Sequence, residues 1–154
     1  MKILGSVLLA LAVGVVGASP AFAQAVKGTN IVASAVPVTT KLASGKTHIF
    51  LADQQLCQTA DPKHPLNGAS GNCPGGCVVD AAGAATCMGS CTWVDEGGDM
   101  AFFTWDGSAT SGGWKLVGGS GKWKTAKGQG TWKSRGVSAG NVNRNDWEGT
   151  ITMK

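Results

Sequence analysis

The chain has no Tyr, only two His and five Pro, and 14% charged residues. Without tyrosines, and with so few histidines, the groups that usually move protons at neutral pH are scarce, and no nucleophile–base pair can be assembled from sequence neighbours. Low charge beside 43% hydrophobic residues also excludes a disordered polyelectrolyte. The shortage of charge is uneven. Residues 47–106 hold one Lys against seven acids, whereas residues 115–154 hold eight Lys and Arg against Asp146 and Glu148. Such a split is answered either inside the molecule, by the acidic stretch lying beside the basic one, or outside it by an anionic partner. The formal net charge of +4 supports non-specific attraction to anionic surfaces but calls for no specific nucleic acid.

Long apolar runs are missing too, with one exception. Lys2 precedes a mostly apolar run from Ile3 to Ala18, followed by Ser19-Pro20 and the small-x-small triplet Ala21-Phe22-Ala23. This is the layout of a secretory signal peptide over residues 1–23, and the run is short for a membrane anchor. With Gln24 as the mature start, residues 24–154 form a single periplasmic or extracellular domain with no membrane span. Its composition, 24 Gly and 6 Trp in the full chain, points to turn-dense β-structure with a few large anchors.

Residues 24–45 are small, polar or β-branched, with a strand over 30–40 that Pro37 places at an edge or ends. Residues 46–52 read as a second strand, with Thr47, Ile49 and Leu51 on one face and His48 and Phe50 on the other. His48 is expected to be a packed, hydrogen-bonded residue, and Asp53–Asn72 a loop in which His64 is solvated.

Five cysteines in an exported chain favour disulfides over zinc, and the C-x3-C spacings of Cys73–Cys77 and Cys87–Cys91 are not those of a zinc knuckle. An antiparallel hairpin centred on Ala82 sets Cys73 opposite Cys91 and Cys77 opposite Cys87. Asp80-Ala81-Ala82-Gly83 suits its turn, with Gly83 in the left-handed position. Two nested cross-strand bridges are therefore the leading arrangement; the rival is two local bridges, Cys73–Cys77 and Cys87–Cys91. Cys57 is left over, as a free thiol, an intermolecular partner or a member of a shuffled scheme. The acids at Asp95, Glu96 and Asp99 form a turn too short for an EF-hand and are expected to serve solvation.

Three nonamers follow: GGWKLVGGS, GKWKTAKGQ and GTWKSRGVS over residues 112–138, with Trp105 nine residues upstream. If Gly119-Ser120 and Gly128-Gln129 are two-residue hairpin turns, Trp114, Trp123 and Trp132 share the buried face. Lys115, Lys124 and Lys133 then oppose one another outside, with Lys122 opposite Arg135. Solubility explains such a row, as does an anionic partner such as an envelope polymer. The tryptophans are core or, with Trp105, the lining of a cavity for a small apolar ligand.

Gly118-Gly119-Ser120-Gly121-Lys122-Trp123 followed by Gly128-Gln129-Gly130-Thr131-Trp132 is similar to the GGTGKF…GxGTF signature of allene oxide cyclase-like and dirigent-like barrels and of many exported bacterial proteins. The Asp95–Asp99 turn resembles the D-x-x-GD turn upstream in such bacterial proteins, and Trp147-Glu148-Gly149-Thr150 looks like their closing strand. The resemblance covers roughly residues 91–154, and the cysteine-rich hairpin is not part of the plant pattern. It implies an all-β fold, an eight-stranded antiparallel barrel able to enclose a ligand, and a strand break nearer Lys124-Thr125 than Gly128. It carries over no cyclase activity, because no catalytic residue matches. The expectation is an exported, non-enzymatic barrel with no cofactor or metal that binds a small apolar ligand; the alternatives are a barrel that binds an anionic polymer and a cyclase-like or other enzyme.

Overall fold

A computed structural model describes residues 22–34, 37–138 and 142–153 of the chain. Residues 1–21, on which the signal-peptide expectation rests, lie outside the described residues. Among the described residues nine strands run in chain order: β1 Phe22–Ser34, β2 Val38–Lys41, β3 Thr47–Thr59, β4 Ser70–Val79, β5 Ala85–Val94, β6 Met100–Gly107, β7 Ser111–Gly119, β8 Lys127–Ser138 and β9 Val142–Met153. Neighbours pair antiparallel, and β1 pairs with both β9 and β3, so eight strands close a barrel. β2 is the ninth, lying on the edge of β3 beyond the reach of β1. Closure removes the exposed edges that an open sheet would present.

The stretch expected as a loop after Ala52 is strand for seven more residues, to Thr59, because β3 must match β1 and β4 along its length. Period-two alternation then points Ile49, Leu51, Asp53, Gln55 and Cys57 inward and His48, Phe50, Ala52, Gln54 and Leu56 outward. His48 is thus exposed rather than packed.

The cysteine hairpin forms as the symmetry requires. Cys73 is bonded to Cys91 and Cys77 to Cys87, the two local bridges do not form, and Cys57 is a free, buried thiol. The Gly83 N–H donates to the Asp80 carbonyl, and Gly83 sits at φ +86°. Each bridge is worth about 2–4 kcal/mol. Burial pushes the Cys57 thiol pKa up to about 12.

The second half departs from the nonamer scheme. β7 ends at Gly119, a short 3-10 turn spans Gly121–Trp123, and β8 runs without a turn through Gly128-Gln129. The break between strands therefore falls at 120–126, where the resemblance placed it. With this register Lys115 faces Gln129, and Lys133 faces Ser111 on one side and Asp146 on the other. The opposed Lys row does not form.

The strand directions give the barrel two ends. One gathers the loops 60–69, 95–99 and 120–126; the other gathers the segments 42–46, 80–84 and 108–110. At the first end Leu66, Trp123 and Ala126 are fully buried and stop the barrel.

Candidate functional site

The interior is built from an exchange of size between Gly and Trp. One lateral row of register partners crosses six strands as Gly75, Gly89, Trp105, Trp114, Gly130 and Gly149. The two indoles splay apart, each over two glycines. A Cβ on Gly75 or Gly89 would stand 2.3 or 2.5 Å from the Trp105 ring, and one on Gly130 or Gly149 would stand 2.6 or 2.5 Å from the Trp114 ring. The next row is Gly112, Trp132, Trp147 and Gly28, and it repeats the device at one side, where a Cβ on Gly28 would lie 2.8 Å from Trp147. An inward glycine lets a ring lie flat on the backbone, so the four tryptophans of these rows fit a small barrel without filling it.

The remaining space is a lumen of about 380 Å³, within the size range of small-molecule sites. Its walls differ. Trp93, Phe103, Trp105, Trp114, Trp132 and Trp147 make an aromatic side, joined by Trp105–Trp132 and Trp114–Trp147 contacts with interplanar angles of 89° and 87°. Cys77, Cys87 and Cys91 bring both disulfides to the lining. The third side, from β1, β3 and β9, carries the polar groups of Asn30, Asp53, Gln55, Asn143 and Asn145 beside Ile49 and Leu51. There Asn30 Nδ2 donates to Gln55 Oε1 at 2.9 Å, and the Ser134 hydroxyl donates to Asn143 Oδ1 at 3.0 Å. Burial raises the Asp53 pKa above the ordinary carboxylate value, and a hydrogen bond from Ser34 pulls it partly back. The lining reaches Ser34, Pro37, Ser108 and Ala109, so the lumen runs toward the end away from Trp123.

Of the four tryptophans expected around a cavity, the structure brings Trp105, Trp114 and Trp132 together and sends Trp123 elsewhere. Trp123 sits in the 120–126 loop, where its Nε1–H donates to Asp95 Oδ2 at 2.7 Å. Asp95, expected to serve solvation, is buried and also accepts the backbone N–H groups of Gly97 and Asp99 at 2.8 and 3.1 Å. Lys122 reaches it at 2.9 Å. Burial pushes the Asp95 carboxyl up, but the hydrogen bonds from Lys122, Trp123, Asp99 and Gly97 outweigh it and hold the pKa below the usual range. The Asp99 carboxylate accepts from the Lys122 N–H and lies where a Cβ on Gly121 would be, so only glycine fits there, at φ +47°.

The same end corrects the second histidine. His64, expected in solvent, is buried; its Nδ1 accepts the Leu66 N–H at 3.1 Å, and desolvation lowers its pKa against the opposing pull of Asp61.

The basic residues are scattered. Lys122 is paired with Asp95, Arg135 with Asp146, and Lys115, Lys124 and Lys133 are exposed on β7, the connecting loop and β8. Asp146 and Glu148 bracket the buried Trp147 and face outward, away from the lumen. Arg135 and Thr29 hold the Asp146 carboxyl below its usual range despite some desolvation.

Trp93, Phe103 and Trp147 were missed from sequence. Trp93 shares parity with Cys87 and Cys91 on β5, so the disulfide pattern itself carried the signal for its inward face.

No protein-family model matches the sequence, and no curated protein matches it. Among solved structures, the pterocarpan synthase dirigent protein GePTS1 superposes with a TM-score of 0.56 at 11% identity, over 95% of this chain and 99% of that one. The pterocarpan synthase dirigent protein PsPTS1 gives 0.49 at 12% identity, over 86% and 95%. The first likeness shows the fold: the chain has the closed, eight-stranded antiparallel barrel of dirigent proteins, with one extra strand and a cysteine-bridged hairpin.

Proposed function

We propose that the chain is an exported binding barrel whose lumen takes one small, largely apolar molecule. The observation that carries the reading is the lumen itself, about 380 Å³ bounded by six aromatic side chains, of which Trp105, Trp114 and Trp147 lie against facing glycines rather than filling the barrel. An aromatic wall contributes both apolar area and ring contacts to a flat ligand. The binding reading rests on an interior in which the described ionisable side chain is Asp53, with no histidine beside it. Export is supported by the signal-like residues 1–23 and by two disulfides, which persist in oxidising compartments. Among the described residues no helix is long and apolar enough to cross a membrane.

The test is titration with N-phenyl-1-naphthylamine, a neutral aromatic probe that accepts energy from indole. The reading expects saturable, one-to-one binding with loss of Trp emission, and expects Leu51→Trp, which adds bulk to the wall facing the indoles, to abolish it while the β-sheet spectrum stays. Binding that does not saturate, or that survives Leu51→Trp, contradicts it. Mass spectrometry of the exported product checks the compartment, with a mature start at Gln24 expected.

A further inference from the structure

The chain carries a net positive charge, yet its lumen is negative. Lys27, Lys115, Lys127, Lys133, Arg135 and Arg144 all lie on outward positions of the strands. No Lys, Arg or His is among the described lining residues, and the one ionisable group there is the Asp53 carboxyl. The aromatic side has the same polarity, because the face of an indole ring is the negative end of its quadrupole.

Asp53 is also placed to serve a ligand. It projects inward from the middle of β3, level with Ser34 on β1 and Cys73 on β4, and its Oδ1 is buried with no hydrogen-bond partner among the described residues. The Asn30–Gln55 amide pair lies beside it along the same wall; its own hydrogen bond uses Asn30 Nδ2, and Asn30 Oδ1 is a second buried acceptor with no partner among the described residues. Burying a carboxylate this way is unfavourable unless a positive group answers it. An anion would meet both Asp53 and the ring faces, whereas a cation with an apolar body gains from each.

We infer that the molecule held in the lumen is an organic cation, an amine or quaternary ammonium with an aromatic or alkyl body, its positive head against Asp53 and its body against Trp105, Trp114 and Trp132. This rests on the lumen being a binding site, and it adds the charge class of the ligand. An aromatic box closed by a carboxylate is the chemistry that recognises ammonium groups.

The experiment compares three probes with one ring and three heads, phenethylamine, phenethyl alcohol and 3-phenylpropionate, by calorimetry on the disulfide-intact protein at neutral pH. The expected order is amine, then alcohol, then carboxylate, with about tenfold between the first two, or ~1.4 kcal/mol. Asp53→Asn is expected to remove the amine's advantage while leaving the alcohol within about twofold. An alcohol that binds as tightly as the amine overturns the inference, as does an advantage that survives Asp53→Asn. Should Asp53→Asn not fold, the ranking on the unaltered protein decides. If N-phenyl-1-naphthylamine binds but the amine does not displace it, the cation inference falls and the lumen reading stands. If neither binds, both fall.

Discussion

Trp123 and two tryptophans of the lumen, Trp114 and Trp132, come from one sequence repeat and do opposite things. At the closed end the Trp123 indole is fully buried, its N–H is answered by Asp95, and Asp95 is answered by Lys122 and two backbone amides. Inside the barrel the indole N–H groups of Trp93, Trp105, Trp132 and Trp147 have no hydrogen-bond partner among the described residues; the rings contact one another, and those of Trp105 and Trp147 also lie on facing glycines. A saturated polar cluster specifies one geometry and closes a structure. An aromatic wall held mainly by ring contacts and backbone leaves its inner faces for something else. The repeat therefore encodes a stopper and a lining, not three copies of one unit.

If that division is right, variants at the closed end lose stability and variants in the lumen lose binding. The largest effect belongs to Trp123→Ala, which empties a fully buried site and strips Asp95 of a donor; denaturant unfolding should show a loss of about 3–5 kcal/mol. Asp95 contributes in the same place with a pH signature. Its folded pKa lies below the ordinary carboxylate value, so its stabilisation is present above that value and is lost as pH falls through the folded pKa. The acid limb of the stability profile should therefore flatten in Asp95→Asn.

Replacing Cys73 and Cys91 together by Ser should lower stability by about 2–4 kcal/mol, read from the same unfolding midpoint. Gly149→Ala sharpens the lumen side. Its Cβ would fall 2.2 Å from the Gln129 carbonyl and 2.5 Å from Trp114, so a loss of about 1–3 kcal/mol should accompany weakened binding of the naphthylamine probe.

Cys57 makes an alkaline prediction. With a folded pKa near 12 against an ordinary thiol value of 9.0, the folded state holds its proton longer than the unfolded chain. Stability from this group is therefore whole below pH 9 and falls by about 1.4 kcal/mol per pH unit on the way to 12. Cys57→Ala should remove that slope. The smallest effect is Lys124→Thr, an exposed residue outside both regions, for which the unfolding midpoint should not move.

The parts of this arrangement that could be read from sequence are those with local rules. The nested bridges follow from the symmetry of four cysteines about a turn that Asp80 and Gly83 define, and the inward faces of Trp114 and Trp132 follow from alternation. The 120–126 break and the true register were obscured because glycine means two things. Gly128 resembles a turn residue, yet it lies within β8, where a Cβ would meet the Thr150 carbonyl at 2.7 Å and Ile151 at 2.9 Å. Close approach and tight turning select the same residue, and only the partner strand tells them apart. Asp95 was hidden for a related reason. Acids in a glycine-rich turn usually face water, and what makes this one structural is a Trp and a Lys almost thirty residues away. Lys122 belongs to that pairing of the acidic and basic halves, not to an outward row.

The most direct test of the division between stopper and lining is an isotope-filtered NMR measurement of which ring protons lie against bound N-phenyl-1-naphthylamine. The account predicts contacts to the rings of Trp105, Trp114 and Trp132 and none to Trp123. Contacts to Trp123, or only to the exposed side chains of Phe50 and Met88 on the outer wall, would contradict it.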